Sequence, residues 1–265
     1  MFIDTHSHLD VLAGESDFES WMEQARSFGV KTGLITTGDS KGFEAARACA
    51  HRVDWAYGFG IHPMFIEGVS DGELEVLDQA LFQHREDPRL IAVGEIGLDF
   101  YIDNPDKERQ ERFFVEQMRL AEKYELPVSV HARRALYRVM AIIKAFPRVK
   151  GVIHAFPGSK EEARQIADLG WKLGVGGAVT YPGSKRLRDV VRYAPIDALV
   201  LETDCPDMAP FNRSDHRSYP ADIATYVTIV AELRGESPKV LSEALFTNTL
   251  SVFPRLSKLL SLPVL

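Results

Sequence analysis

Residues 2–36 read FIDTHSHLDVLAGESDFESWMEQARSFGVKTGLIT and contain one strand–helix–strand pattern. The run Phe2–Thr5 is apolar and partly β-branched, which favours a strand, and Thr32–Thr36 repeats this character. Between them, four apolar residues recur at i, i+3, i+4 and i+7, which predicts a helix with one buried face. These four residues are Phe18, Trp21, Met22 and Ala25. A strand, a helix and a strand in this order are typical of α/β proteins.

The predicted helices carry signals at their ends. Ser16 and Glu19 have the spacing of a capping box, and Gly29 follows as a stop. A second capping box, Ser159 with Glu162, begins a later helix, which ends at a glycine, residue 170. We therefore expect amphipathic helices that pack their apolar faces on a common sheet.

The same unit recurs along the whole chain and predicts eight strands. Eight strands alternating with helices over about 250 residues is the expected size of a (β/α)8 TIM barrel. We predict this α/β fold as a single domain over residues 1–265, with a doubly wound open sheet as the alternative. The predicted strands are Phe2–Thr5, Thr32–Thr36, Trp55–Gly60, Leu90–Glu95, Val128–His131, Gly151–His154, Lys172–Gly176 and Leu199–Glu202.

The composition is that of a globular protein, with 45% hydrophobic and 26% charged residues. The formal net charge is −7, so the mean field of the molecule does not attract polyanions, and any contact with nucleic acid is expected to be local. No signal peptide or membrane segment is predicted. Cys49 and Cys205 are interpreted as thiols in a reducing compartment. A cytoplasmic location is expected, with no membrane association and no obligate protein partner.

Ligand-type side chains stand at the ends of several predicted strands. His6 and His8 are two residues apart, so their imidazoles lie on one face and can chelate an ion. Carboxylates or histidines directly after apolar runs are costly to bury alone, so we expect them to meet at the carboxyl ends of the barrel strands. Two divalent ions with Glu95 between them would use all the candidates. The candidate metal ligands are His6, His8, Glu95, His131, His154 and Asp204.

Several short motifs resemble the TatD family of metal-dependent deoxyribonucleases, in the family's order and over nearly the whole chain. The segment from Gly174 to Gly177 with Thr180-Tyr181-Pro182 is similar in particular to the YjjV-type branch. The fold implied is the same barrel. The family motifs are Asp4-Thr5-His6-Ser7-His8-Leu9-Asp10, Gly60-Ile61-His62-Pro63, Gly94-Glu95-Ile96-Gly97-Leu98-Asp99, Val130-His131, His154-Ala155-Phe156-Pro157-Gly158 and Leu201-Glu202-Thr203-Asp204.

The resemblance implies two ligand sets and an activity. One divalent ion would be held by His6, His8, Glu95 and Asp204, and the other by Glu95, His131 and His154. The implied activity is hydrolysis of phosphodiesters in DNA, often from a 3′ end, with Mg²⁺, Mn²⁺ or Zn²⁺ as the cofactor. Two features depart from the family pattern, namely Cys205 after the aspartate and residues 207–219, which should help to shape the substrate mouth.

These residues suggest a mechanism. Two divalent ions with the carboxylates of Glu95 and Asp204 leave a local charge of roughly +2, which would attract phosphate to the pocket. The hypothesis is that water, with its pKa lowered by the ions, attacks phosphorus. Asp204 is the predicted catalytic general base, because it would touch both an ion and the water.

Several other residues each have two possible interpretations, one functional and one structural. His62 could bind phosphate or the leaving group, or be a satisfied loop histidine. Arg133 or Arg134 could clamp a phosphate or lie on a helix surface. Glu202 could orient a ligand from behind or be a structural carboxylate in the barrel. Phe100 and Tyr101 could stack on bases or pack under a loop.

Two other functions use the same residues. An amidohydrolase or lactonase would act at carbon, and many binuclear members of that superfamily carry a carbamylated lysine where this sequence has Glu95. A non-catalytic metal-binding module is the second alternative. Structural zinc sites usually close with four ligands, often including cysteine, whereas six nitrogen and oxygen donors leave positions open.

Overall fold

The computed structural model describes residues 1–261 and contains one parallel sheet of eight strands. Neighbouring strands in the sheet are consecutive in the sequence, because each strand is followed by a connection that returns to the next position. The strands are β1 (Phe2–Ser7), β2 (Val30–Ile35), β3 (Ala56–Phe59), β4 (Leu90–Asp99), β5 (Val128–Arg133), β6 (Gly151–Ile153), β7 (Lys172–Val175) and β8 (Leu199–Leu201).

Helices connect the strands and continue beyond the last one. One α-helix lies between each pair of successive strands, as is usual for the crossovers of a parallel sheet. The helices are α1 (Phe18–Ser27), α2 (Phe43–Val53), α3 (Glu73–His84), α4 (Lys107–Lys123), α5 (Leu136–Lys144), α6 (Lys160–Asp168), α7 (Lys185–Tyr193), α8 (Ile223–Arg234), α9 (Pro238–Val252) and α10 (Arg255–Leu259). Within residues 1–261, no helix has the length and apolar character that crossing a bilayer requires.

The first and last strands meet and close the sheet into a barrel. The hydroxyl of Thr5 donates to the carbonyl of Leu201 at 3.0 Å. The backbone N–H of Asp204 donates to the carbonyl of His6 at 2.9 Å, and that of His8 donates to Cys205 at 2.7 Å. The (β/α)8 barrel predicted from the sequence is confirmed, and the doubly wound alternative is wrong because the strand order is sequential and the edges meet.

Two hydrophobic clusters stabilise the barrel. The larger one joins the strands to the surrounding helices and contains Phe18, Met22 and Ala25 of α1, as the helical spacing predicts. The smaller one joins strand residues such as Leu34 and Val200 to the C-terminal helices. Burial of these side chains stabilises the fold by about 25 cal/mol per Å² of apolar surface.

Of the two capping boxes predicted from the sequence, one is present in the structure and the other is not. Ser159 and Glu162 form the predicted capping box at α6, with both reciprocal hydrogen bonds present. The box at Ser16 is wrong, because α1 begins after Asp17 and Ser16 only contacts the Asp17 carboxylate. The glycines at positions 29 and 170 follow α1 and α6 with positive φ, as expected for helix stops.

Strand β4 is longer than the sequence indicates. The prediction ended at Glu95, but the strand continues to Asp99 because residues 96–99 pair with 130–133 of β5. Glu95 therefore lies in mid-strand, and Asp99 stands at the carboxyl end. Arg133 ends β5, two residues beyond the predicted His131.

Candidate metal centre

A cavity of about 540 Å³ opens at the carboxyl ends of the strands. Five of the six predicted ligands line it, and the sixth, His6, is fully buried beside them. His6 comes from β1, and His8 directly follows it; Glu95 and His131 lie in β4 and β5, while His154 and Asp204 follow β6 and β8. The barrel thus brings residues that are up to 198 positions apart to one mouth. The five lining ligands are His8, Glu95, His131, His154 and Asp204.

The first group of donors surrounds one oxygen of Glu95. Its Oε2 lies 3.2 Å from Nε2 of His6 and 3.3 Å from Nε2 of His8. The same two nitrogens lie 3.6 and 3.5 Å from Oδ1 of Asp204. Four donor atoms from three strands therefore face one another at nearly equal distances.

The second group surrounds the other oxygen of Glu95. Its Oε1 lies 3.0 Å from Nδ1 of His131 and 3.5 Å from Nε2 of His154. Nε2 of His62 also approaches this oxygen, at 3.3 Å. The two oxygens of a single carboxylate consequently face two different sets of nitrogen donors.

The spacing of the first group fits a metal ion. Four ligands arranged tetrahedrally at about 2.0–2.1 Å from zinc lie about 3.3 Å from one another. The distances of 3.2 to 3.6 Å between the imidazole nitrogens and the carboxylate oxygens match this value. Three overlapping sets of side chains could hold an ion, and all of them lie in this cluster: His6, Glu95 and His154; His6, His8 and Asp204; and His62, Glu95 and His131.

In three of the histidines, the ring nitrogen that lies farther from Glu95 contacts an oxygen that can only accept a hydrogen bond. Nδ1 of His8 lies 3.2 Å from the carbonyl of Thr36, and Nδ1 of His154 lies 3.2 Å from Glu202. Nε2 of His131 lies 3.1 Å from Asp99. Because a carbonyl or carboxylate only accepts, these nitrogens carry the protons. In the neutral form of each ring, the lone pair is then left on the nitrogen that faces Glu95, as a metal ligand requires.

His62 has the opposite arrangement. Its Nδ1 accepts a hydrogen bond from the backbone N–H of Met64 at 3.1 Å, so the lone pair lies on the side away from the cluster. Nε2 then carries the proton and points at Oε1 of Glu95. The position of His62 agrees with a donor of a hydrogen bond and disagrees with a metal ligand, although its ring lies beside His131 with centroids 4.5 Å apart.

The burial and the charges of the cluster shift its pKa values. Burial opposes ionisation of Glu95, but electrostatic interaction with the imidazoles of His62, His6 and His154 holds the pKa of its carboxyl well below the ordinary value. Burial also opposes charging of His8, yet the Glu95 and Asp204 carboxylates raise the pKa of His8 to about 9. Burial lowers the pKa of His62, which favours the neutral donor. Glu95 is therefore an anion ready to bind cations.

Two further buried acidic side chains support the cluster, and the sequence indicates a role of this kind for Asp4 but none for Asp99. Asp99 accepts from the ring of His131, and it also accepts from the backbone N–H of Tyr101 at 2.8 Å. Asp4 is fully buried and accepts from the backbone N–H of Thr203 at 2.9 Å, which fixes the loop that carries Asp204. The signal for Asp99 was its place in the Gly94–Asp99 motif, but the predicted strand ended before it.

The remaining candidate residues lie around this cluster. Glu202 is fully buried against His154, which places it behind a predicted ligand. Arg133 and Arg134 are exposed and lie over the ring of Tyr101, outside the residues that line the cavity. Asp207 lines the cavity, so the 207–219 segment contributes to its mouth.

Neither cysteine takes part in the cluster. Cys49 and Cys205 are buried free thiols, as interpreted from the sequence. Burial raises the pKa of the Cys205 thiol well above its ordinary value, so this residue is a poor nucleophile. Its backbone carbonyl instead takes part in closing the barrel, by accepting from His8.

The fold and the donor cluster together are those of a metal-dependent hydrolase built on a TIM barrel, and comparison with known proteins leads to the same class. The family model described as TatD related DNase matches residues 3–254. The chain belongs to the TatD family.

Relatives in two bacteria are similar over nearly their whole length. The chain is 38% identical to the metal-dependent hydrolase YjjV of Escherichia coli over 255 residues, which cover 95% of this chain and 97% of the relative. It is 33% identical to a metal-dependent hydrolase of Haemophilus influenzae, over 95% of this chain and 99% of the relative. The crystal structure of Escherichia coli YjjV superimposes with a TM-score of 0.90 at 37% identity, covering 96% and 98% of the two chains.

Proposed function

We propose that the protein is a phosphodiesterase that hydrolyses DNA with the help of two divalent ions. The observation that carries this proposal is the position of Glu95, whose two carboxylate oxygens face separate donor sets at 3.0 to 3.5 Å. One carboxylate between two ions is the arrangement of binuclear hydrolytic sites. The family name, TatD related DNase, supports DNA as the substrate.

The donor atoms assign residues to each ion. His6, His8, Asp204 and Oε2 of Glu95 would hold one ion, and His131, His154 and Oε1 of Glu95 would hold the other. Bound there, divalent ions lower the pKa of water and neutralise charge on the phosphate oxygens. Among the described residues that line the cavity there is no lysine or arginine. Inside this cavity, an anionic phosphate would therefore be attracted by the ions and not by lysine or arginine side chains of the lining.

Asp204 is the proposed general base. Only its Oδ1 faces the histidines of the first donor set, and none of the hydrogen bonds among the described residues uses its Oδ2. The side chain is at the cavity wall and partly reachable from solvent, with 12% of it exposed. Asp204 can thus hold an ion through one oxygen and accept a proton from the attacking water at the other.

His62 is the proposed hydrogen-bond donor to the substrate. Its Nε2–H lies at the wall of the same cavity and faces the cluster, because Met64 holds the other ring nitrogen as an acceptor. A phosphoryl or leaving-group oxygen that enters between the donor sets would receive this hydrogen bond. A donor held in place before the reaction stabilises developing negative charge without reorganisation.

Glu202 and Asp99 are proposed to orient the ligands. Each accepts from the far nitrogen of a histidine, namely His154 and His131. Such partners fix the ring orientation and raise the basicity of the coordinating nitrogen. The two carboxylates act on the substrate only through those histidines.

The test is a substrate panel on the metal-stripped protein reloaded with Mg²⁺, Mn²⁺ or Zn²⁺. A 5′-labelled single-stranded oligonucleotide is expected to shorten, stepwise from its 3′ end, while amides and lactones are not turned over. Asp204→Asn, loaded with the same metal, measures any contaminating nuclease. DNA cleavage no faster than that of Asp204→Asn would reject the proposal, and turnover of a lactone or amide alone would support the amidohydrolase alternative.

A further inference from the structure

Tyr101 is an exposed aromatic residue just beyond the carboxyl end of β4. Nearly half of its surface is accessible (47%), although two arginine side chains lie over its ring. The guanidinium carbons of Arg133 and Arg134 are 3.9 and 4.2 Å from the ring centroid. An exposed ring with positive charges beside it is the combination with which proteins bind single nucleic-acid strands, through base stacking and phosphate contacts.

The backbone brings both arginines to the same ring. Successive side chains of a strand point to opposite faces, so Arg133 and Arg134 would diverge if β5 continued. The strand ends at Arg133, and Arg134 has a left-handed φ of 53°. This turn directs both guanidinium groups to Tyr101. The left-handed conformation of Arg134 is unfavourable, because residues other than glycine, asparagine and aspartate rarely adopt it.

The positive charges of the two arginines are available to a ligand, because nearby carboxylates neutralise them only weakly. Among the described residues Arg134 has no ion pair, and Arg133 has only a long contact of 4.0 Å with Oδ2 of Asp99. The protein as a whole carries a net charge of −7, and the described lining of the cavity contains no lysine or arginine. The pair at Tyr101 is therefore a local cationic feature beside an otherwise acidic mouth.

Asp99 connects this feature to the metal centre. Its Oδ1 accepts from the backbone N–H of Tyr101 at 2.8 Å, and its Oδ2 lies 3.1 Å from Nε2 of His131. Nδ1 of His131 is in turn 3.0 Å from Glu95. Tyr101 and the arginines are thus held one carboxylate away from a proposed metal ligand.

We infer that Tyr101, Arg133 and Arg134 form a strand-binding subsite, in which Tyr101 stacks on a base and the two guanidinium groups bind the adjoining phosphates. The inference rests on the proposed phosphodiesterase function, because it assigns the position of the substrate strand relative to the same metal centre. The occupant is the continuing part of a single nucleic-acid strand. A duplex would not offer an unstacked base to the ring.

The first experiment compares two substrates. Values of kcat/KM are measured with Mn²⁺-loaded protein for a short single-stranded oligonucleotide and for bis(p-nitrophenyl) phosphate, which has no base to stack. Stacking contributes about 1–3 kcal/mol per base, so Tyr101→Ala is expected to lower the oligonucleotide-to-ester ratio by about 5- to 150-fold. Tyr101→Phe keeps the ring and restores most of this ratio.

Tyr193→Ala is the matched control for the loss of an exposed tyrosine. Tyr193 is 68% exposed and also has a cation near its ring, Lys160 at 5.5 Å, but it ends α7 outside the cavity lining. Its substitution leaves the ratio unchanged. An unchanged ratio in Tyr101→Ala, or a ratio lowered equally by Tyr193→Ala, would overturn the subsite.

The second experiment measures binding without turnover. Fluorescence anisotropy of a labelled oligothymidylate is recorded with Mn²⁺-loaded Asp204→Asn protein, which is not expected to turn over the substrate, at several salt concentrations. Arg134→Gln is expected to weaken binding and to reduce the slope of log K against log salt by about 0.7, the value for one phosphate contact on a single strand. An unaltered slope and affinity would remove Arg134 from the subsite.

The two experiments separate the inference from the proposed function. Strand binding that depends on Tyr101 and Arg134, in a protein that hydrolyses no phosphodiester, would support the subsite and reject the phosphodiesterase. Hydrolysis of both substrates with no dependence on Tyr101 or Arg134 would support the phosphodiesterase and reject the subsite.

Discussion

The backbone N–H of Met64 donates to Nδ1 of His62 at 3.1 Å, and this contact determines what the other side of the ring can do. His131, beside it, has the carboxylate of Asp99 at its Nε2, so the neutral form of this ring carries its lone pair on Nδ1, which faces Glu95. The two histidines beside the same oxygen of Glu95 therefore differ in which ring nitrogen carries the proton. His131 is prepared to bind a cation, and His62 to donate a proton in a hydrogen bond.

Substitution of the two histidines should have different consequences. His62→Ala is expected to retain the full metal content and to lose about 100-fold in kcat on a phosphodiester, because one donor to the substrate is removed. His131→Ala is expected to lose bound metal as well. Metal content by inductively coupled plasma mass spectrometry, together with kcat, distinguishes the two. Loss of metal in His62→Ala would contradict the assignment of its protonated nitrogen.

Asp204→Asn tests the general base. Asparagine keeps an oxygen near the histidines but accepts a proton poorly, so we expect kcat to fall by about 10²- to 10⁴-fold. The melting temperature and circular dichroism of the metal-loaded variant should remain close to those of the parent. Near-normal kcat in a fully loaded variant would exclude Asp204 from this role.

Asp99→Asn should weaken metal binding although Asp99 is not a proposed ligand. The carboxylate holds the proton on Nε2 of His131, and loss of such partners typically lowers metal affinity by about 10- to 100-fold. Competition with a chromogenic chelator measures the change. Asp189→Asn is the control, because Asp189 is half-exposed in an ion pair on α7. Equal affinities in both variants would show that Asp99 does not support His131.

The stability of the protein should depend on pH through Asp87. Burial opposes its ionisation, but the backbone N–H of Arg89 and the side chains of His51 and Tyr57 lower the pKa of this carboxyl below its ordinary 3.8. The folded state therefore binds the proton less readily than the unfolded state. The stabilisation is present above about pH 4 and is lost as the pH falls through the folded pKa.

Urea unfolding of the parent and of Asp87→Asn measures this contribution. We expect Asp87→Asn to lower the free energy of unfolding by about 1–2 kcal/mol at pH 7, because charge-assisted hydrogen bonds are lost. The difference between the two proteins should be smaller at pH 3. A difference that grows toward low pH would show that the sign is wrong.

Gly97 should be intolerant of any side chain. Its φ is 136°, and a Cβ at this position would lie 2.1 Å from the carbonyl oxygen of His131. Gly97→Ala is expected to separate β4 from β5, to destabilise the fold by about 2–4 kcal/mol and to displace His131. Gly14→Ala is the control, because no heavy atom lies within 4 Å of its Cβ position. Equal urea midpoints for both variants would contradict the close approach.

Much of the architecture could be predicted because it depends on local patterns. All eight strands and the order of alternation follow from apolar runs and helical spacing, and the capping box at Ser159 depends only on neighbours in the chain. The capping box predicted at Ser16 is wrong, because the exact start of a helix is not determined by the spacing of two residues. Its spacing is correct, but α1 starts after Asp17, and the side chain of Ser16 makes no cap.

The sequence by itself determined the barrel and predicted the candidate donor residues, because strand periodicity and the position after each apolar run are properties of short segments. Tertiary structure alone decided the length of β4, which pairs with β5 as far as Asp99, and with it the partner of His131. It also decided that the two oxygens of Glu95 face different donors and that Met64 fixes the proton of His62. Hydrogen bonds between atoms far apart in the chain set these features, so no local pattern encodes them.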